Sequence, residues 1–240
     1  VLPILWIHGF PLSSRIFEPQ TRIAGYRHLR PDLRGFGSMP PPDGDTSMAS
    51  YARDLIELLD AEGIERCVVA GFSMGGYIAM QLVRDVPQRI AALLLLDTRE
   101  TPDTDEGRAV RYKQADDVAK NGIGGVVEAM LPKMVVQEPY RDEVRRIMET
   151  STPRGVIAAL KAMATRPDST ETLRNATMPA FVIVGDRDEI TPVRDAERMV
   201  SLLPHAEMAP IARAGHMANF EASEQVNNLI AAFLGRALRT

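Results

Sequence analysis

Ser73 stands in the stretch VVAGFSMGGYIAM, residues 68 to 80, where an apolar run meets Gly-Phe-Ser-Met-Gly and passes straight into a segment of helical period. Packing does not require a hydroxyl flanked by glycines at the point where a buried strand stops and a helix starts. Such a turn does suit a nucleophile held out at the end of a sheet. A serine hydroxyl is a poor nucleophile at neutral pH, so the chemistry also needs a base to take its proton and an acid to orient that base.

The chain holds four histidines. His8 follows the first apolar run in IHGFP, His28 lies inside a second run, His205 follows Pro204 in a surface turn, and His216 sits in ARAGHMANFE after the last strand segment. In a parallel sheet the carboxyl ends of the strands share one rim, and ligands bind there. Ser73, His8 and His216 all reach that rim. The chain order serine, acid, histidine admits His216 and excludes His8 as the base, while His28 and His205 read as structural or surface residues. For the acid, Asp97 ends the run ALLLLD, and Asp186 and Asp188 both lie in VGDRDEITP. Spacing alone leaves these three open.

The elements that must position these residues are legible as alternating patterns. PILWIH, YRHLRPDL, RCVVAGF, RIAALLLLD, AFVIVGD and AEMAPIA read as strands, separated by longer stretches of helical period, which is the pattern of a parallel sheet covered on both faces. In SMASYARDLIELLDAEG the residues Met48, Tyr51, Ala52, Leu55, Leu58 and Leu59 share one helical face, and Gly63 ends the helix. A second helix follows Ser73, and EQVNNLIAAFLGRAL closes the chain. The alternation breaks once. From Arg99 to Asp168 there are only polar helical segments interrupted by NGIGG, Pro132, Pro139 and Pro153, an insert expected to form a lid. Its Met130, Met134, Met148 and Met163 either line an apolar pocket or pack the lid onto the sheet.

Composition bounds the function. At 240 residues the chain suits one domain with an insertion, and 45% hydrophobic with 25% charged residues is the balance of a soluble globular protein. A formal charge of -4 provides no basic patch for nucleic acid. The single Cys67, inside an apolar run, excludes an internal disulfide and suits a reducing cytoplasm. No run reaches the roughly 20 apolar residues of a membrane helix. The opening VLPILWIHG is a strand without a methionine before it, so residues upstream are expected to be missing from the numbering. RGFGSMP and NGIGGVV lack the context of nucleotide-binding loops, and the scattered His and Cys residues have no metal-ligand spacing. Neither cofactor nor metal is expected.

HGFP at 8 to 11, PDLRGFG at 31 to 37, GFSMGG at 71 to 76, GDRDEITP at 185 to 192 and GHMANFE at 215 to 221 together resemble the α/β-hydrolase superfamily, in particular its small carboxylesterases and enol-lactonases. The resemblance covers residues 1–98 and 169–240, which implies a mostly parallel α/β-hydrolase core with residues 99–168 as a helical lid before the next-to-last strand. It places the acid in a Gly-x-x-Asp-x-x-x-Pro pattern, here Gly185, Asp188 and Pro192, and so selects Asp188, with Asp97 the lesser candidate. It also puts the oxyanion donors on the backbone N–H groups of Phe10 and Met74 and leaves His8 to brace the HGFP loop. The implied enzyme is a cytoplasmic serine hydrolase of small to medium carboxylic esters or lactones, a monomer or small homo-oligomer. Its alternatives are an enol-lactonase, a carbon–carbon bond hydrolase, a perhydrolase making peracids or, outside enzymes, a ligand-binding receptor with vestigial hydrolysis. Ser73 at the elbow argues against haloalkane dehalogenases and epoxide hydrolases, which carry Asp there.

Overall fold

Runs such as IAALLLL cannot leave either face in water, and the computed structural model, which describes residues 2–44 and 46–238, buries them on both sides of one sheet. Its strands are β1 (Pro3–Ile7), β2 (Arg27–Leu29), β3 (Cys67–Phe72), β4 (Ile90–Leu96), β5 (Ala180–Gly185) and β6 (Ala206–Ile211). They lie in the order β2-β1-β3-β4-β5-β6, and every neighbouring pair is parallel. Because successive side chains alternate between faces, each strand supplies two cores. Leu5, Ile7, Val69, Leu93 and Leu95 pack on one side and Ile4, Trp6, Val68, Leu94 and Leu96 on the other.

Helices α1 (Met48–Ala61), α2 (Met74–Asp85) and α8 (Val193–Leu202) cover the first face, and α10 (Ser223–Ala237) covers the second. The α1 helix begins at a reciprocal cap, in which the Ser47 hydroxyl accepts from the Ser50 N–H and the Ser50 hydroxyl from the Ser47 N–H. It stops at Gly63, whose φ of 62° suits glycine.

One strand is shorter than its sequence pattern, and one carries a proline. YRHLRPDL yields only Arg27–Leu29, because Pro31 has no N–H for a ladder. Asp32 instead accepts from the N–H groups of Ser14 and Ser38, which turns the segment into a braced loop. Pro210 is tolerated within β6 because that strand is the sheet edge.

Between β4 and β5 the chain forms α3 (Asp105–Asn121), α4 (Gly124–Met134), α5 (Glu138–Met148) and α6 (Pro153–Ala164), then the short α7 (Thr170–Arg174) leads into β5. No strand interrupts this insert among the described residues. Arg166 ties its exit to its start, donating to the Thr101 carbonyl at 3.0 Å, pairing with Asp103 at 2.8 Å and lying over the Tyr77 ring of α2. Met134, Met148 and Met163 are buried with the sheet-side core, so they pack the insert, and Met130 alone of the four is partly exposed. Of the helices described, none is long and apolar enough to cross a membrane.

The start of α2 is the tightest point of the fold. A Cβ at Gly75 would fall 1.9 Å from the carbonyl oxygen of Ile7, and one at Gly71 would fall 2.4 Å from that of Gly75. Backbone cannot yield as a flexible side chain does. Gly75→Ala is therefore expected to cost about 3 kcal/mol, read in a thermal melt as a Tm lower by roughly 6–12 °C. An unchanged Tm would contradict this packing.

Candidate active site

Parallel register brings the carboxyl ends of the central strands together, Ile7 beside Gly71, Phe72 beside Leu96 and Leu96 beside Ile183. The residues just beyond them share one rim. Ser73 leaves β3 at φ 52° and ψ -117°, a left-handed conformation that costs a residue with a Cβ about 1–3 kcal/mol. The surroundings enforce it. Ser73 N–H donates to the Leu96 carbonyl at 3.0 Å, and the Thr98 hydroxyl donates to the Ser73 carbonyl at 2.8 Å. Its side chain is thereby held at the head of α2, half-buried, while Gly76 makes room for Thr98.

The Ser73 hydroxyl donates to His216 Nε2 at 2.9 Å, and His216 Nδ1–H donates to Asp188 Oδ2 at 2.8 Å. This network sets the tautomer with the proton on Nδ1 and a free lone pair on Nε2. His216 and Asp188 are both buried, 143 and 115 residues downstream of the serine respectively. Asp188 also accepts from the Ile190 and Thr191 N–H groups at 2.8 and 3.0 Å and from the Thr191 hydroxyl at 2.6 Å. Burial pushes its carboxyl up, but the imidazole and the Thr191 donors outweigh that and hold it below the ordinary carboxylate range. An ionised Asp188 next to an Nδ1–H is the arrangement that steadies a developing imidazolium.

The other two aspartates do not reach the imidazole. Asp186 is exposed. Asp97 turns out of β4 at φ 44°, and its Oδ1 accepts from the Gly185 N–H at 2.7 Å. Burial drives its pKa well up, the nearby Asp188 adds to this, and the Gly185 and Ala218 N–H groups oppose it. Its Oδ2 is buried without a hydrogen-bond partner among the described residues.

The two residues expected to supply the oxyanion donors flank the serine, Phe10 next to Gly9 and Met74 directly after Ser73. A Cβ at Gly9 would lie 2.9 Å from Ser73 Cβ, so the HGF segment runs directly beside the serine. Met74 opens α2, and first-turn N–H groups have no partner within a helix. His8 is fully buried between two loops, donating from Nδ1 to the Gly9 carbonyl at 2.9 Å and accepting at Nε2 from the Leu33 N–H at 2.9 Å. Desolvation lowers its pKa to about 4, which keeps this brace neutral. His28 lies beside Trp6, whose indole N–H it accepts at 3.0 Å, and His205 is exposed.

A model of the alpha/beta hydrolase family matches residues 4–229. The chain belongs to that family. Among solved structures, this hydrolase superposes on a thermophilic esterase from Thermogutta terrifontis with a TM-score of 0.96 and 34% identity, covering 99% of this chain and 90% of that one. The enol-lactonase from Burkholderia xenovorans LB400 shares the fold, with a TM-score of 0.90 and 21% identity over 98% of this chain and 92% of that one. A 2-hydroxy-6-oxononadienedioate/2-hydroxy-6-oxononatrienedioate hydrolase from a Pseudomonas species is 26% identical over 222 residues, 89% of this chain and 78% of its own length.

Three residues of the hydrolase site escape motif reading. Thr191 and Thr98 fix the acid and the elbow through contacts that only the folded chain makes. Glu221 ends GHMANFE, yet its carboxylate serves a loop and an insert that sequence spacing does not bring together.

Proposed function

We propose that this hydrolase cleaves carboxylic esters of small to medium acyl length through an acyl-enzyme intermediate. The observation that carries the reading is the unbroken row of hydrogen bonds from Ser73 through His216 to Asp188. Ser73 Oγ attacks the ester carbonyl as His216 Nε2 takes its proton, and Asp188 steadies the imidazolium. The N–H groups of Phe10 and Met74 receive the oxyanion, helped by the positive end of α2. His216 then protonates the departing alcohol, and water repeats the sequence to release the acid and restore Ser73. Residues 99–168 serve as the lid and residues 1–98 and 169–240 as the core. The 34% identity to a thermophilic esterase supports the ester class. The substrate is a small molecule, and Cys67, buried with its thiol pushed up to about 11, is consistent with a protein of the reducing cytoplasm.

A second reading, a carbon–carbon bond hydrolase on the same triad, is favoured by the 26% identity to the dienedioate hydrolase. Initial rates on p-nitrophenyl esters from acetyl to lauroyl, beside a panel of enol-lactones and vinylogous 1,5-diketones, separate the two. The ester reading expects fast multiple turnover with an optimum at short to medium acyl chains. Turnover confined to diketones or lactones would overturn it.

A further inference from the structure

Glu221, the last residue of α9 (Ala218–Glu221), is a buried carboxylate with partners on two separate elements. Its Oε2 accepts from the Gly215 N–H at 2.6 Å, one residue before His216. Its Oε1 accepts from the Gln137 N–H at 2.7 Å, in the connection between α4 and α5 of the insert, with the Val136 N–H also turned toward it. The same two segments meet again on either side. Met217 N–H donates to the Met134 carbonyl at 3.2 Å, and the Gln137 side-chain amide donates to the Arg213 carbonyl at 3.3 Å. A Cβ on Gly215 would come within 2.9 Å of Val136 Cγ1 and 3.2 Å of the Met134 carbonyl oxygen, so glycine lets the two backbones approach this closely.

His216 thus sits in a loop whose residues 213, 215 and 217 are each bonded, directly or through Glu221, to residues 134–137 of the insert. No hydrogen bond of the imidazole itself goes to the insert among the described residues. Gly215 is the position where the insert and the loop share a charged acceptor rather than a neutral carbonyl, and charge-assisted bonds are roughly twice as strong as neutral ones. Burial raises the Glu221 pKa, while the Gln137, Gly215 and Val136 N–H groups and the guanidinium of Arg141 in α5 oppose that and favour its ionised form.

We propose that Glu221 is a positioning residue that fixes the His216 loop to the α4–α5 connection, so that the placement of the insert sets the aim of the imidazole at Ser73. Its catalytic consequence rests on the triad reading above. The link itself does not.

Two variants cut the link from opposite sides. Glu221→Gln keeps the volume and one acceptor but turns a donor toward one of the N–H groups. Gln137→Pro removes both donors of that residue, the N–H to Glu221 and the side-chain amide to Arg213, and leaves the Glu221 to Gly215 bond intact, and Gln137 has no hydrogen bond to Ser73 or His216. Each is expected to lower kcat on p-nitrophenyl acetate about 10- to 100-fold per active site, with sites counted by fluorophosphonate labelling of Ser73 taken to completion. KM should stay within threefold, about the spread of small binding changes. A role confined to folding would reduce the number of labelled sites and leave kcat per site unchanged. The double variant should lose no more than the worse single one, since both break one coupling.

Hydrogen exchange of the peptides spanning 134–137 and 213–217 reads the link without any turnover, and it is expected to accelerate in both segments in either variant. If Gln137→Pro retains the parent kcat per site and leaves exchange at 213–217 unchanged, the insert does not position His216 and the proposal is overturned. If either variant does not fold, the other carries the same test. An inactive parent enzyme with linked exchange would remove the ester reading while leaving the link standing.

Discussion

Ser73→Ala is expected to lower turnover of p-nitrophenyl esters by about 10⁴-fold or more with the fold intact. The substitution removes one oxygen from a half-buried site and leaves the carbonyl of residue 73 bonded to Thr98 and its N–H to Leu96, since both bonds are backbone at that residue. Alanine bears the same Cβ at φ 52° as serine does, so the strain of the elbow is unchanged. What disappears is the nucleophile, and His216 Nε2 is left without the hydroxyl that bonds it. Oxyanion donors and binding alone still give some 10³- to 10⁴-fold over water, so a small residual rate belongs to the expectation. Circular dichroism and Tm should match the parent, and stoichiometric labelling by a fluorophosphonate should vanish. A loss below tenfold would sink Ser73 as the nucleophile and with it the acyl-enzyme route.

The same residues show how much a sequence discloses. β1, β3, β4 and β5 were legible because a strand covered on both faces must be apolar almost throughout, and that signal is local. The meeting of Ser73 and His216 is legible because the carboxyl rim of a parallel sheet and chain order reduce four histidines to one. The choice between Asp97 and Asp188 was not, since both end or follow adjacent strands, and only the resemblance to a known family separated them. In the fold the separation has a physical cause: Asp97 is turned back by its φ of 44° onto the Gly185 N–H, while the turn after Gly185 carries Asp188 forward to the imidazole. The short β2 was overread because Pro31 weakens a strand without erasing its apolar pattern. The insert methionines look as fit for a pocket as for packing, and burial decides for packing at Met134, Met148 and Met163 but not at the partly exposed Met130. Glu221 was illegible as a link because it joins residues 84 positions apart, and no periodicity spans that distance.

Asp188→Asn and Asp97→Asn should therefore behave oppositely, although both remove one buried carboxylate from the same rim. In Asp188→Asn the amide can present its NH₂ to His216 Nδ1, which then favours the tautomer with the proton on Nε2, the wrong nitrogen for accepting from Ser73. The Ile190 and Thr191 N–H groups still donate to the retained oxygen, so the geometry survives while kcat falls by about 10⁴-fold. In Asp97→Asn the retained carbonyl oxygen still accepts from the Gly185 N–H, no contact to His216 is lost, and kcat should remain within about tenfold of the parent. Stability separates the pair a second time. Burial raises the Asp97 pKa in the folded state, so the native protein holds that proton more tightly than the unfolded chain does. The contribution is present below the unfolded pKa and is lost as pH rises through the folded one. Replacing Asp97 by the permanently neutral Asn removes that loss, and the Tm of Asp97→Asn relative to the parent should climb from acid toward alkaline buffer. For Asp188, whose folded pKa is depressed, the sign reverses: the parent gains stability above the unfolded carboxylate pKa, and the Asn variant falls behind it there. A series of melts across pH on the three proteins, run beside their ester kinetics, tests both halves. Equal kinetic losses in the two variants would mean that Asp97 shares the work of orienting His216, and parallel Tm profiles would mean that its carboxyl is ionised in the fold.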